Sequence, residues 1–389
     1  MGEMASTESI RALVLHGAKD LRLESRETPK PQPNELTIAI RATGLCGSDL
    51  HYYNHGRNGN FVLQHPMCLG HESSGTITST PSTTSTTTTS NLKEGDRVAL
   101  EVGLPCRACP LCTTGRYNLC PKLRFKSSAK THPHLDGTLQ TVITHPADLC
   151  HKLPENVTFE QGALVEPLAV VLHAVRRSQG AGSGGTAPLV GSSALVLGAG
   201  AVGMLTAATL AVSGVSNIVI ADIDGPRLEI AKGMAGGRFR LKTFLIPKKA
   251  SPKDTEEALS NGQDLAKEVA KVGDLPEGFG FDRVYEFGDL CCDGGRDVGV
   301  GGDGESGADV AIGAAALREV DIIGVFRYAN CYPAAIALFA SGQLDGVAEA
   351  LVSHRVGLED GERAFRLAAN AAREGEDEGR AVVKVLITS

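Results

Sequence analysis

The sequence predicts an α/β protein with two domains: a mostly antiparallel β domain, and a doubly wound parallel sheet with helices on both faces. Three observations support this prediction. The chain of 389 residues exceeds the usual size of a single hydrophobic core. Its first part alternates short β-rich runs with turn residues. Its middle part contains an apolar run, a glycine turn, a helical pattern and a second apolar run in succession.

The first domain is predicted over residues 1–166. The runs RALVLHG, ELTIAIRATGL, SSGTIT and GDRVALEV are rich in β-forming residues and are separated by Pro, Gly, Asn and Asp. Residues 79–90 are almost entirely Ser and Thr, a composition typical of a solvated loop. We therefore expect an antiparallel domain with one long polar connection.

The second domain is predicted over residues 167–327, where the hydrophobic pattern changes. A helical stretch, LAVVLHAVRRS, precedes the buried strand ALVLGAG, the helix AVGMLTAATLAVSG and a second buried strand, NIVIADID. This order is typical of the βαβ unit of a parallel sheet. Residues 328–389 contain two further helical patterns and the strand AVVKVLI, and we expect this tail to pack back on the first domain.

A nucleotide-binding fingerprint joins the two buried strands. Gly198, Gly200 and Gly203 fit G-x-G-x-x-G after a strand and before a helix, and Asp222 ends the next strand. Gly198 allows the tight turn, Gly200 lets the backbone approach a pyrophosphate, and Gly203 permits close helix–strand packing. Because Asp222 would accept hydrogen bonds from ribose hydroxyls and repel a 2′-phosphate, the pattern favours NAD over NADP. The alternative is a purely structural glycine turn.

Four cysteines lie close together in the first domain: Cys106, Cys109, Cys112 and Cys120. Four thiolates at short spacing suit a closed tetrahedral zinc site, which is usually structural. Buried free thiols and two disulfides are the alternatives. Clustering in a large chain favours the metal.

A second possible metal site is more dispersed along the sequence. Cys46, His71 and a carboxylate from the GHE or VEP stretches would hold zinc and leave one position open. His51, His55 and His65 are equally available as ligands, and spacing alone does not choose among them.

Composition excludes other function classes. A net charge of −7 and the absence of Trp argue against nucleic-acid binding. No apolar run has the length of a membrane span, and we expect a cytoplasmic protein without membrane or nucleic-acid partners.

Together these motifs resemble the zinc-containing medium-chain dehydrogenases, especially the sorbitol, xylitol and L-arabinitol (polyol) dehydrogenases. The matching stretches are GLCGSDLHYY, PMCLGHESSGT, LKEGDRVALEVGLPCRACPLCTTGRYNLCP, HKLPENVTFEQGALVEPLAV, VLGAGAVGM and REVDIIGVFRYANCYPAAI. The resemblance implies a GroES-like catalytic domain and a Rossmann NAD-binding domain. It also implies one catalytic and one structural zinc, and a homo-oligomer (dimer or tetramer). The implied reaction oxidises a secondary alcohol of a small polyol to a ketose, with hydride transfer to NAD.

The resemblance also assigns roles to individual residues. The catalytic zinc is expected on Cys46, His71 and Glu72, with Glu166 as a further acidic group acting on the metal-bound water or on substrate. Ser48 and His51 are expected to conduct the alcohol proton. The substrate-contacting residues implied in addition to Glu166 are Tyr52, Arg327 and Tyr328. The implied cofactor contacts beyond the glycines are Val202, Asp222, Arg227, Val325 and Arg327. The residues themselves leave open that Glu72 lies beside the metal, that Tyr52 is a core tyrosine, that Arg327 is an ordinary surface residue and that Ser48 is a turn residue.

Residues 287–316 depart from the family pattern. After VYEFG the family continues through a helix and a buried strand, whereas this chain continues with DLCCDGGRDVGVGGDGESGADVAIGAA. Loss of a central strand would leave ladder groups unpaired. One alternative function is therefore an inactive homologue that still binds NAD and zinc. A separate alternative is a dehydrogenase that acts on another secondary alcohol.

Overall fold

The computed structural model describes residues 9–80, 92–179, 188–248, 253–287, 315, 317–369 and 381–389. The chain divides into two compact units. Unit 1 comprises Met1–Ala169, Ala329–Gln343 and Val352–Ser389. Unit 2 comprises Val170–Tyr328 and Leu344–Leu351. Unit 1 is thus built from three separate pieces of the sequence.

The elements are numbered in chain order. The strands are β1 (Ser9–Gly17), β2 (Asp20–Glu27), β3 (Glu35–Gly44), β4 (Arg57–Asn58), β5 (Phe61–Val62), β6 (Met67–Cys68), β7 (Glu72–Ser79), β8 (Arg97–Leu100), β9 (Gly103–Leu104), β10 (Arg124–Phe125), β11 (Val142–Pro146), β12 (Cys150–Lys152), β13 (Ser193–Leu197), β14 (Asn217–Asp222), β15 (Leu241–Leu245), β16 (Arg283–Glu286), β17 (Val352–Gly357) and β18 (Lys384–Thr388). The α-helices are α1 (Gly47–His55), α2 (Pro110–Thr113), α3 (Phe159–Gln179), α4 (Ala201–Val212), α5 (Gly225–Ala235), α6 (Thr255–Val272), α7 (Tyr332–Ala340), α8 (Val347–Leu351) and α9 (Gly361–Ala369). Short 3₁₀ turns occupy Tyr117–Leu119, Ala147–Leu149 and Leu358–Asp360.

Unit 1 is built around a seven-stranded sheet with the order β12-β8-β7-β3-β18-β17, in which β11 also pairs with β3. A smaller sheet has the order β2-β1-β6. Nearly all pairings are antiparallel, and β17 with β18 is a parallel exception. Alternating apolar residues of β1, such as Leu13 and Leu15, are buried with Met67, Leu139 and Phe365 in one core cluster. This agrees with the GroES-like domain expected from the sequence.

Unit 2 contains a parallel sheet with the order β15-β14-β13-β16 among its described residues. β13 and β14 are buried along most of their length, because helices pack on a parallel sheet from both sides. The strand–helix–strand order β13-α4-β14 is the predicted βαβ unit. The Rossmann-type arrangement inferred from the sequence is therefore present.

Three details of the domain division differ from the sequence-based boundaries; the smallest is that Tyr328, predicted to begin the tail, still belongs to unit 2. The predicted boundary at residues 166/167 falls inside α3, because the helix continues through Pro167 and the units divide after Ala169. Because proline has no backbone N–H, the helix continues through Pro167 with one fewer intrahelical hydrogen bond. Within the predicted tail 328–389, Leu344–Leu351 belongs to unit 2, where α8 contacts α5.

The predictions for two stretches of the sequence concern residues that the structure largely does not describe. The Ser/Thr-rich loop over residues 79–90 is described only at Ser79, which ends β7, and Thr80. The altered stretch over residues 287–316 is described only at Phe287 and Ala315. Among the described residues, no helix is both long enough and apolar enough to cross a membrane.

Candidate active site and metal centres

A compact group of metal-binding side chains forms where β3 meets β7 in unit 1. The thiol of Cys46, the imidazole of His71 and the carboxylate of Glu72 offer ligand atoms that all lie within 4.8 Å of one another. Cys46 caps the N-terminus of α1, directly after β3, and Glu72 begins β7 opposite Gly44. A side chain at Gly44 would meet the Glu72 carboxylate, so the glycine leaves room for this carboxylate in its observed position. The sheet register therefore brings the three residues together.

The side chain of Asp49 contacts two of these three residues, Cys46 and His71. Its carboxylate is fully buried and accepts hydrogen bonds from the Cys46 N–H at 3.2 Å and the Gly70 N–H at 3.1 Å. The Ser127 hydroxyl donates to the same carboxylate at 2.7 Å. Oδ1 of Asp49 lies 3.4 Å from Nδ1 of His71. Carboxylates that face the non-ligating nitrogen of a histidine fix its ring orientation in many metal sites.

The charge balance of Asp49 and His71 follows from this contact. Burial would raise the pKa of Asp49, but the nearby charge of His71 and the hydrogen bond from the Ser127 hydroxyl lower it overall. Burial would lower the pKa of His71, but Asp49 and Cys46 raise it well above its ordinary value. The metal-free site therefore favours an ionised Asp49.

A buried lysine pairs with Glu72. Nζ of Lys384 lies 2.8 Å from both carboxylate oxygens and also donates to the carbonyl oxygen of Leu45 at 2.9 Å. The Lys384 residue is only 5% exposed. Burial alone would lower its pKa, but Glu72, then Cys46, and more weakly Glu166 raise it. Lys384 is therefore a buried cation at the edge of the candidate metal site.

The other predicted residues of unit 1 lie on two helices. Ser48 and His51 are half-buried on α1. Glu166 lies on α3, is 6% exposed and is not part of the three-ligand group. Tyr52 is 1% exposed, belongs to the core cluster, and its hydroxyl accepts a hydrogen bond from the Ala129 N–H at 2.9 Å.

The chemistry of the three-ligand group fits zinc. Zinc prefers thiolate, imidazole and carboxylate donors, and catalytic sites use three protein ligands with one position left open. The contact of His71 Nδ1 with Asp49 leaves Nε2 as the nitrogen available to a metal. The residues present can therefore hold a zinc ion of the catalytic kind.

The four-cysteine loop forms a second possible metal centre. The sulfur atoms of Cys106, Cys109, Cys112 and Cys120 all lie within 4.8 Å of one another, and the eight described cysteines are free thiols. Backbone N–H groups of Ala108 and Cys109 lower the pKa of Cys106 to about 6. Burial and the neighbouring thiols raise the pKa of Cys112 to about 12 in the metal-free loop. A set of converging thiols with no disulfide among the described cysteines fits a structural zinc.

The nucleotide fingerprint adopts the expected turn in unit 2. Gly198 follows β13 with φ of 96°, a left-handed conformation that favours glycine, and Gly200 caps α4. A side chain at Gly203 would collide with the carbonyl oxygen of Gly198, whereas the space next to Gly198 and Gly200 is open. The half-buried Val202 lies in the first turn of α4. The loop therefore leaves room for a pyrophosphate at a helix N-terminus.

Asp222 is anchored beside this loop. Its carboxylate accepts hydrogen bonds from the N–H groups of Ala199 and Asp224. Asp224 caps α5 by accepting from the Arg227 N–H at 3.1 Å. Nε of Arg227 accordingly lies 3.9 Å from the Asp224 carboxylate, an ion pair that holds the arginine side chain at the start of α5.

The remaining predicted residues lie in the segment that leads out of unit 2. Val325 and Arg327 are half-buried and Tyr328 is buried. Arg327 has a φ of 51°, and its guanidinium stacks 4.9 Å from the ring centre of Phe326. A left-handed non-glycine residue indicates a backbone held by its surroundings.

Two residues that the sequence reasoning missed are central to the site. Asp49 lies three residues after Cys46, a spacing that allows it to cap α1. Lys384 is a single cation in the apolar strand AVVKVLI, and a buried charge of this kind implies a partner. The spacing of Asp49 and the lone charge of Lys384 are visible in the sequence. Their partners, His71 and Glu72, can be identified only from the fold.

Comparison with known proteins agrees with this arrangement. Residues 32–155 match the alcohol dehydrogenase GroES-like domain. The chain is 38% identical to a sorbitol dehydrogenase of Gallus gallus over 366 residues, covering 93% of this chain and 94% of that protein. It is also 38% identical to a probable D-xylulose reductase A of Aspergillus terreus over 358 residues, covering 91% and 94% of the two chains.

Solved structures give the same result. L-idonate 5-dehydrogenase from Escherichia coli superimposes with a TM-score of 0.75 at 25% identity, covering 98% of this chain and 99% of that one. The 2R,3R-butanediol dehydrogenase from Bacillus subtilis gives a TM-score of 0.72 at 26% identity, covering 98% and 100%. The chain therefore belongs to the zinc-containing medium-chain dehydrogenases, in the polyol dehydrogenase group.

Proposed function

We propose that this protein oxidises a secondary alcohol of a small polyol, of the sorbitol, xylitol or L-arabinitol type, to a ketose with NAD as hydride acceptor. The observation that carries the proposal is the group of Cys46, His71 and Glu72, within 4.8 Å of one another in a chain 38% identical to a sorbitol dehydrogenase. The open glycine turn at Gly198 and Gly200 supports the cofactor assignment.

Individual residues have the following proposed roles. Cys46, His71 and Glu72 would hold the catalytic zinc, with Glu166 as a further acidic group toward zinc-bound water or substrate. Ser48 and His51 on α1 would pass the alcohol proton to solvent. The residues proposed to contact substrate or nicotinamide are Tyr52, Val325, Arg327 and Tyr328. Asp222 and Arg227 would contact the adenosine ribose, while Val202 and the glycines line the pyrophosphate turn.

Three side chains near the proposed metal ligands, those of Asp49, Lys384 and His51, have proposed roles in the reaction. When bound, zinc supplies Lewis-acid polarisation of the alcohol and NAD accepts the hydride. Asp49 orients the His71 ring through its contact with Nδ1. Lys384 places a buried ammonium group 2.8 Å from both oxygens of the Glu72 carboxylate. His51, half-buried on α1, is the group proposed to pass the alcohol proton on to water.

The direct test is NADH formation by the purified protein with sorbitol, xylitol, L-arabinitol and a simple secondary alcohol. We expect turnover on at least one polyol, and a loss of at least about 100-fold after zinc is removed, because the metal lowers the pKa of the bound alcohol. Adding zinc back to the chelated protein is the control. Turnover on the simple alcohol alone would favour a dehydrogenase of other secondary alcohols. A folded, zinc-loaded protein without turnover would favour the inactive homologue.

Cofactor preference gives a second test. We expect Asp222→Asn to lower the ratio of kcat/KM for NAD over NADP by about tenfold or more, because the change removes a negative charge that repels a 2′-phosphate. Asp224→Asn is a matched control two residues away, since asparagine also caps helices well. An unchanged NAD preference in the Asp222 variant, or an equal loss in the Asp224 variant, would contradict the assignment.

A cytoplasmic homo-oligomer, dimer or tetramer, remains our prediction. It rests on the resemblance to the polyol dehydrogenases and on the composition of the chain. Sedimentation of the purified protein tests the assembly, and fractionation of the cells that produce it tests the location.

A further inference from the structure

Ser127 has an unusual backbone conformation next to the candidate zinc site. Its φ of 61° lies in the left-handed region, where residues other than glycine are uncommon. The residue is 4% exposed. Its N–H donates to the carbonyl oxygen of Leu135 at 2.9 Å, and two residues later the Ala129 N–H donates to the Tyr52 hydroxyl. The loop that follows β10 is therefore held against α1 with Ser127 in an unfavourable conformation.

This conformation places the Ser127 hydroxyl on Asp49. Its hydrogen bond to Oδ1, at 2.7 Å, is the shortest that the carboxylate accepts from the described residues. The other two donors are backbone N–H groups of Cys46 and Gly70, which lie at or next to proposed metal ligands. Ser127 is the donor that comes from a distant part of the chain and from a side chain.

The shared acceptor atom matters for the metal site. Oδ1 of Asp49 receives the Ser127 hydroxyl and also faces Nδ1 of His71 at 3.4 Å. Without the hydroxyl, the carboxylate would keep only the two longer hydrogen bonds from the backbone N–H groups of Cys46 and Gly70, and Oδ1 would be held less firmly beside the His71 ring. Backbone strain that persists at a functional site indicates a conformation that the site requires.

We propose that Ser127 is a positioning residue for the candidate catalytic zinc site, acting through Asp49 on His71. The proposal rests on the proposed function only in that Cys46, His71 and Glu72 bind a metal. It requires no particular substrate.

Three variants separate the hydroxyl from the backbone. Ser127→Ala removes the donor and keeps a side chain in the left-handed conformation. Ser127→Gly also removes the donor but relieves the conformational strain. Ser128→Ala is the matched control, because Ser128 is an equally buried neighbour. Among the described residues, its hydroxyl accepts a hydrogen bond from the Lys130 N–H at 3.3 Å and does not contact Asp49.

The measurement is zinc affinity of the full-length protein by competition with a chelator, with cobalt(II) absorption as a probe of ligand geometry. Loss of an outer-shell partner of a metal ligand typically weakens binding by about 10- to 100-fold. We expect this loss of affinity in both Ser127 variants for the zinc bound at Cys46, His71 and Glu72, and not for the zinc of the four-cysteine loop. The absorption spectrum of cobalt(II) bound at the same site should shift in both variants. The glycine variant should nevertheless unfold at no lower urea concentration than the alanine variant. Ser128→Ala should stay within about threefold of the wild type.

The outcomes distinguish this inference from the proposed function. Wild-type zinc affinity and cobalt spectra in both Ser127 variants would overturn the role of Ser127 and leave the zinc site intact. An equal loss in Ser128→Ala would also overturn it, because the effect would then belong to the loop as a whole. A wild-type protein that binds zinc only at the four cysteines would overturn both proposals.

Discussion

Replacing Lys384 by methionine should destabilise the zinc-free protein by about 3–5 kcal/mol, the usual cost of removing one partner of a buried ion pair. The ammonium of Lys384 is 2.8 Å from both oxygens of Glu72, and both residues are almost completely buried. Methionine has a similar length but no charge, so the Glu72 carboxylate would remain buried without a cation. Urea unfolding followed by far-UV circular dichroism measures the loss.

The matched control for this prediction is Lys152→Met. Lys152 also pairs with a buried carboxylate, Asp96, at 2.7 Å, but its side chain is 54% exposed. A pair open to solvent contributes at most about 1 kcal/mol. If Glu72 binds zinc, the loss caused by Lys384→Met should be smaller in the zinc-loaded protein, because the metal supplies positive charge to Glu72. Equal destabilisation by both lysine variants would contradict a special role for the buried pair.

Replacing Cys109 by serine should remove one of two bound zinc equivalents. Structural zinc contributes an apparent binding free energy of about 10–16 kcal/mol through four ligands, or roughly 3 kcal/mol for each ligand. We therefore expect the affinity of this site to fall by about 100-fold or more, measured as metal content after dialysis against a weak chelator. The loop should then become sensitive to protease, because α2 begins at Pro110 inside it and would lose its anchor.

Cys150→Ser is the control for the four-cysteine loop. Cys150 is a buried thiol of the same unit that donates to the carbonyl oxygen of Pro146 at 3.4 Å and is not part of a ligand group. The same sulfur-to-oxygen change there should keep two zinc equivalents. Two equivalents in the Cys109 variant would show that the four thiols do not hold a metal.

The elements with local signals were predicted well. The Gly198 turn and the strand that ends at Asp222 appear where the glycine spacing and the apolar runs place them, because their conformation depends on nearby residues. The four cysteines also converge as expected, since all of them lie in one short loop. The helical stretch was predicted to begin at Leu168, whereas α3 begins nine residues earlier, at Phe159, and continues through Pro167.

The residues that contact the proposed metal ligands could not be predicted from local sequence patterns. Asp49, Ser127 and Lys384 come from a helix, a loop and the last strand, and they meet only through the sheet order of unit 1. Spacing left several histidines available as ligands. The fold brings together His71 with Cys46 and Glu72, and among the described residues it places His51, His55 and His65 outside that group.

The position of β18 has a consequence for how this protein is made on the ribosome. β18 lies between β3 and β17 in the large sheet, and its residues Lys384 and Val385 bond to Leu45. All residues of unit 2 are synthesised before this strand. Until then β3 lacks one neighbour and Glu72 lacks its cation, so the metal-binding side of unit 1 must be completed after synthesis has reached the final strand. Pairings between such distant residues form slowly, so the large sheet of the first domain is completed late, after the chain of the second domain has been made.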